Sequence, residues 1–193
     1  MGWRFEIPNY VIKKLYFEYF SAIFIAKTKY TKATSKIRQS VSALISKGNP
    51  EPFFKIVQDI LIEHHSNRDE MSYGEKHLQT LMVGILCPYE TFFIHSEYES
   101  GRGYPDIFLE RVHPAAKYEV VLEIKYVKKT AKDKLTKTVN KIGKEKLAEV
   151  VQEAEMQLDG YMKTERFSRP DVRGFYVVFF GGEVYKWGEW GKY

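Results

Sequence analysis

Apolar residues recur at helical spacing through the first third of the chain, and strand-like alternation dominates much of the remainder. Asn9, after Ile7-Pro8, can cap a helix starting at Tyr10 with the stripe Ile12, Leu15, Tyr16, Tyr19, Phe20 and Ile23. A second helix is predicted over Thr34–Lys47, stopped by Gly48-Asn49-Pro50, and a third from Pro52 to about His65. His64 and His65 are adjacent, so they point apart and make a poor metal pair. Ser72-Tyr73-Gly74-Glu75 opens a further helix with Leu78, Leu81, Met82, Ile85 and Leu86 on one face. Strand-like runs then cover Thr91–Glu97, Pro105–Arg111 and Tyr118–Val127. A lysine-rich stretch leads into an amphipathic helix over about Lys144–Lys163. Gly174–Phe180 reads as a buried strand that turns at Gly181-Gly182 into a short last strand, Glu183–Trp187. This order predicts an α/β (α+β) fold with helices packed on a mixed sheet. Residues 1–66 form a helical segment and residues 67–193 the sheet-bearing unit in this division.

Composition narrows the picture. With 193 residues, 44% hydrophobic and 16% aromatic, the chain can bury a real core and is not a disordered one. The single cysteine, Cys87, excludes a disulfide framework and any zinc site built from several thiolates. The longest apolar run, Phe17–Ala26, carries Glu18 and is too short to span a bilayer. The first residues lack the order of a secretory signal, so the expected address is cytoplasmic, without a membrane partner. The formal charge of +5 matters because it is concentrated: nine lysines lie between Lys125 and Lys146, against Asp133 and Glu145. Such a surplus favours a polyanion through counterion release. Alone it reads first as a solvated loop leading into a helix, and its meaning depends on its neighbours.

The neighbours carry the chemistry. If His113–Ala116 is the loop between two antiparallel strands, Val112 faces Lys117 and Asp106 falls opposite Glu123. Lys125, two residues on, shares that face, while Ile107, Leu109, Val120, Leu122 and Ile124 make the other face ordinary core. A bulge would shift this register by one. Two adjacent carboxylates form a hard-oxygen site for Mg²⁺ or Mn²⁺, which the backbone carbonyl of Ile124 and water can complete. Such an ion polarises a phosphoryl oxygen and acidifies a bound water, and Lys125 would hold that water and stabilise developing negative charge. The bland alternative is a solvent-facing cluster in which Lys125 only neutralises two acids. Glu75 lies on the apolar stripe of its helix, where a carboxylate wants a cation, but Ser72-x-x-Glu75 is also a capping box with Glu75 at N3. Gln157 and Tyr161 share a helix face, which by itself says little.

Taken in order, Glu75, Tyr104-Pro105-Asp106, Glu123-Ile124-Lys125 and Gln157-x-x-x-Tyr161 resemble the signature of the PD-(D/E)XK nuclease superfamily. The likeness is nearest to a bacterial subgroup in which the nuclease-like domain follows an AAA-ATPase-like domain; there a Glu-bearing helix precedes a segment like Ser96–Asp106. The resemblance implies a sheet of about four strands, with Asp106, Glu123 and the Ile124 carbonyl as metal ligands and Glu75 as a further acidic residue beside the metal. It also implies Lys125 as the catalytic lysine, with Gln157 and Tyr161 orienting the site or touching the phosphate backbone. Arg102, Lys128, Lys129, Lys132 and Lys134 are the expected nucleic-acid contacts. No G-x-x-x-x-G-K-[ST] motif occurs, so an ATPase-like partner would have to be a separate domain or chain. The implied function is Mg²⁺- or Mn²⁺-dependent hydrolysis of nucleic acid, DNA first. The alternatives are an inactive nuclease-like module that binds nucleic acid or docks a protein through its first helices, and a purely structural domain.

Overall fold

The computed structural model describes residues 34–64, 74–96, 98–101, 103–129 and 141–191. The expected helix from Tyr10, and His65, Ser72, Arg102, Lys132 and Lys134, lie outside the described residues. Helix α1 (Thr34–Ser42) runs into one π-helical turn, Ala43–Lys47, which ends at Gly48 with φ 65°. The Asn49 side chain accepts the Glu51 N–H at 3.1 Å, satisfying a first-turn donor of α2 (Glu51–His64). Helix α3 (Glu75–Leu86) follows, then strands β1 (Phe92–Ser96), β2 (Ile107–Arg111) and β3 (Glu119–Val127). Helix α4 (Lys141–Met162) leads to β4 (Val172–Phe180) and β5 (Glu183–Glu189).

The five predicted strand runs form one mixed sheet in the order β1-β2-β3-β4-β5, one strand more than the resemblance implied. Only β3 and β4 run parallel, and α4 is part of the crossover that parallel pairing requires. The central strand β3 is buried on both faces through most of its length. On one face Val120, Leu122 and Ile124 pack with Val41 of α1, Leu44 of the π-helical turn, Phe53 and Phe54 of α2, and Leu78 and Met82 of α3. On the other, Val121 packs with Phe108, Tyr176 and Val178 against Leu147, Val151, Ala154 and Leu158 of α4. The expected division near residue 66 falls between α2 and α3, and all three of these helices bury side chains in the same core. No helix among the described residues is long and apolar enough to cross a membrane.

The expected pairing of Val112 with Lys117 does not form. Pairing of β2 with β3 stops at Leu109 and Val120, and the two chains part to bond elsewhere: Val112 N–H to the Thr91 carbonyl, Lys117 N–H to that of Ile45. The Arg111 N–H is taken by a carboxylate oxygen of Glu119 at 3.3 Å rather than by a strand carbonyl. The buried Glu119 also binds Arg166 at 2.7 Å and Arg169, which fastens the segment between α4 and β4 to the sheet.

Helix α4 rests almost directly on β4. A Cβ at Gly174 would lie 2.6 Å from Met162 Sδ and 3.1 Å from Leu158 Cδ1. Gly174→Val should therefore overpack this contact and lower stability by about 1–3 kcal/mol. Chemical denaturation checks it, and an unchanged midpoint would show that α4 does not sit this close.

Candidate active site

Alternation along β3 turns Glu119, Val121, Glu123 and Lys125 toward α4. Ile107 pairs with Leu122 and Phe108 with Val121, so the next step back sets Asp106 beside Glu123, as the predicted hairpin required. Pairing is regular here, without the bulge that would have moved it. Asp106 stands just before β2, and its Oδ2 accepts the Ile124 N–H at 2.7 Å. Pro105 would oppose Ile124 in this register and has no N–H to donate. Within a strand a residue's carbonyl shares an edge with its N–H, so the Ile124 carbonyl gets no donor from Pro105. Gln79, buried on α3, donates to the Asp106 carbonyl at 2.6 Å and fixes the turn from above. Sequence reasoning passed over Gln79; its signal was a polar residue, four after Glu75, on an otherwise apolar helix side.

Lys125 Nζ lies 3.0 Å from Glu123 Oε1 and 3.6 Å from Glu153 Oε1 of α4. The lysine and Glu123 side chains are only 10% and 4% exposed, so both charges are held largely out of water. Glu123 Oε2 is buried without a hydrogen bond, and so is Gln157 Oε1. Glu153, Gln157 and Tyr161 succeed one another at i, i+4 and i+8 and so share one side of α4. The Tyr161 hydroxyl donates to the Tyr104 carbonyl at 3.3 Å, and its ring closes over Gly103. Gly103 has φ 128°, and a Cβ there would lie 2.9 Å from Tyr161 Cε1, so the strand-leading segment needs glycine at this point.

Glu75 is placed differently from the expectation. Gly74 is the N-cap and Glu75 the first helical residue, so the predicted capping box with Glu75 at N3 is not formed. At N1 its side chain is exposed rather than on the apolar stripe, and its charge favours the helix terminus. That charge is nevertheless felt by Asp106, Glu123 and Lys125. Among the described residues no three His, Cys, Asp or Glu side chains converge into a ready-made metal cluster. The donor set in place is Asp106, Glu123 and backbone oxygen, all hard ligands suited to Mg²⁺ or Mn²⁺, and the buried Glu123 Oε2 lacks the hydrogen-bond partner that a cation could replace. Lys128 is exposed, whereas Lys129 lays its stem over Gly181 and pairs with Glu183 at 2.7 Å.

The electrostatics are those of two acids and one base in a dry place. Burial, then the charge of Asp106, pushes the Glu123 carboxyl up to about 7, with Lys125 pulling the other way. Burial also raises Asp106, opposed by the Ile124 N–H and by Lys125. For Lys125 burial works against the charge, but Glu123, Glu75 and Glu153 more than offset it and keep the ammonium protonated. Burial, then the charges of Glu123 and Asp106, raises the Tyr161 phenol, which stays a donor.

A five-stranded mixed sheet flanked by helices, with buried Glu123 and Lys125 on β3 and half-buried Asp106 beside them, is an α+β arrangement consistent with a restriction-endonuclease-like fold. The match to a family model over residues 73–188 places it further: the chain belongs to the PD-(D/E)XK nuclease superfamily. Searches among curated proteins and among solved structures gave no match.

The raised Glu123 carboxyl fixes a sign for pH dependence. Its folded value, about 7, exceeds the ordinary 4.5, so the native state holds this proton more tightly than the unfolded chain. The resulting stabilisation is full below about 4.5 and is lost as pH rises through about 7, on the order of 3 kcal/mol. In divalent-free buffer, melting should show Glu123→Gln gaining on the wild type between pH 5 and pH 8. Parallel curves for the two proteins would mean that Glu123 is not desolvated beside Asp106.

Proposed function

We propose that the chain is a divalent-cation-dependent phosphodiesterase acting on nucleic acid, with DNA as the first substrate class. The single observation that carries this reading is the buried Glu123 Oε2, left without a hydrogen bond while the Asp106 charge beside it raises the Glu123 carboxyl. Asp106, Glu123 and the Ile124 carbonyl would hold the ion, with Glu75 adding negative charge at the rim. Bound there, Mg²⁺ or Mn²⁺ supplies polarisation of a phosphoryl oxygen and a water of lowered pKa.

The remaining work falls to the chain's own residues. Lys125 carries a fixed positive charge 3.0 Å from Glu123, placed to orient the attacking water and to stabilise charge on the phosphate oxygens. Tyr161 stays protonated and clamps the Tyr104 carbonyl, which holds the segment that delivers Asp106. Gln157, with a buried unpaired oxygen between Glu153 and Tyr161 on α4, would accept a hydrogen bond from the attacking water and orient it. Arg102, Lys128, Lys132 and Lys134 would form the phosphate-contacting track; Lys129 would join only by leaving Glu183. Nucleic acid and a lone cysteine fit a reducing, cytoplasmic setting, and an AAA-ATPase-like domain, in cis or in trans, is the partner we favour.

Plasmid and oligonucleotide substrates with Mg²⁺ or Mn²⁺ should be cut, and EDTA should stop the reaction. Asp106→Asn keeps an acceptor for the Ile124 N–H but removes a charged ligand, so cleavage should fall about 10³-fold or more while the protein stays folded. Lys125→Met should slow the chemical step about 10²–10³-fold, without weakening cation binding, because an ammonium is not a ligand. If the wild type cuts no DNA or RNA and binds no divalent ion, the enzyme reading fails and a non-catalytic binding module takes its place.

The lysine track is tested by salt. Changing Lys128, Lys129, Lys132 and Lys134 together to Gln should flatten the log–log salt dependence of DNA affinity by up to about 0.9 for each phosphate the variant no longer neutralises. Sequence preference should not change, since phosphate contacts position rather than specify. An unaltered slope would reduce the run to a solvated face.

A further inference from the structure

Lys125 is shared between two carboxylates that differ sharply in their surroundings. Glu123 approaches it at 3.0 Å from the same strand and is 4% exposed; Glu153 approaches at 3.6 Å from α4 and is 54% exposed. The two demands on Glu123 conflict. In the structure its Oε1 neutralises the ammonium, yet in a metal-dependent phosphodiesterase the same carboxylate must also bind a doubly charged cation. A divalent ion and an ammonium on one buried carboxylate repel each other, and little water is present to screen them. Unless the lysine has somewhere else to go, it competes with the metal.

Glu153 offers that place. Among the described residues it is the second carboxylate within ion-pair range of Nζ, and it comes from an element that contributes no cation ligand to the proposed site. It also stands at the solvent side, one helical turn before Gln157. We propose that Glu153 is a positioning residue that takes over the Lys125 ammonium when a divalent cation claims Glu123, drawing the lysine head toward the mouth where a phosphate enters. Glu153 touches neither cation nor substrate; it acts through Lys125. The inference rests on the Asp106–Glu123 cation site and adds to it a hand-over of the lysine between two anchors.

A double-mutant cycle on the whole chain, read by Mn²⁺ titration calorimetry at about 0.15 M salt, tests this. Glu153→Gln should weaken Mn²⁺ binding about three- to five-fold when Lys125 is present, the range expected for a half-exposed ion pair. In the Lys125→Met background, with no ammonium to relocate, the same change should weaken binding less than about 1.5-fold. Equal losses in the two backgrounds would mean that Glu153 merely attracts the cation by its charge, and would overturn the hand-over while leaving the metal site standing. No change from Glu153→Gln in either background would overturn it as well. Absence of Mn²⁺ binding by the wild type would instead remove the cation site itself, and the hand-over with it. At saturating Mn²⁺ the single-turnover cleavage rate of Glu153→Gln should fall about ten-fold with substrate affinity unchanged, as misplacing the Lys125 charge predicts. An unchanged rate would contradict the proposal.

Discussion

A side chain ties the start of β2 to β3: Asp106 Oδ2 accepts the Ile124 N–H at 2.7 Å. Pro105, opposite Ile124 in this register, has no N–H to offer in return. The Asp106–Ile124 bond sets the Asp106 charge beside Glu123, and the Ile124 carbonyl is left without a donor from Pro105. Gln79 from one layer of helices and Tyr161 from the other hold the same short segment by its carbonyls, at residues 106 and 104. The site is thus built where both layers grip one turn of the chain, and a displacement of either helix would move Asp106.

The constraint has an electrostatic consequence. Burying two carboxylates with one ammonium leaves a local excess of negative charge, and the chain answers by raising the acids, Glu123 up to about 7. A structural cluster selected for stability would sooner replace one acid by an apolar residue, which in buried ion pairs is often neutral or stabilising. Membership of the PD-(D/E)XK nuclease superfamily fits the imbalance with the proposed cation, which would bring the missing charge. On that proposal Lys125, 3.0 Å from Glu123 and 3.6 Å from Glu153, would answer to two partners.

Much of this was legible in the sequence. Alternation along Tyr118–Val127 located β3, and counting outward from the four-residue loop His113–Ala116 led to the register that sets Asp106 beside Glu123. The register survived although the loop end did not pair as expected, because Glu119 captured the Arg111 N–H and drew in Arg166 and Arg169. Those arginines lie more than forty residues away in sequence, and no local pattern announces such contacts. Glu75 was misplaced within its helix because Ser72 is a good cap in isolation, whereas Gly74 is the cap in the fold. Gln79 and Glu153 were missed for a similar reason: each is an ordinary polar helix residue until the sheet beneath supplies a carbonyl or an ammonium. Local chemistry can be read from spacing; long-range partners cannot.

On the proposed function, Asp106 and Glu123 share one divalent cation. Crystals grown with Mn²⁺ and measured at a wavelength where manganese scatters anomalously put this to the test. A single strong anomalous peak is expected at about 2.0–2.3 Å from an oxygen of each carboxylate and from the Ile124 carbonyl oxygen, with Lys125 Nζ still nearby. An empty site at millimolar Mn²⁺, with Lys125 keeping Glu123 to itself, would contradict it.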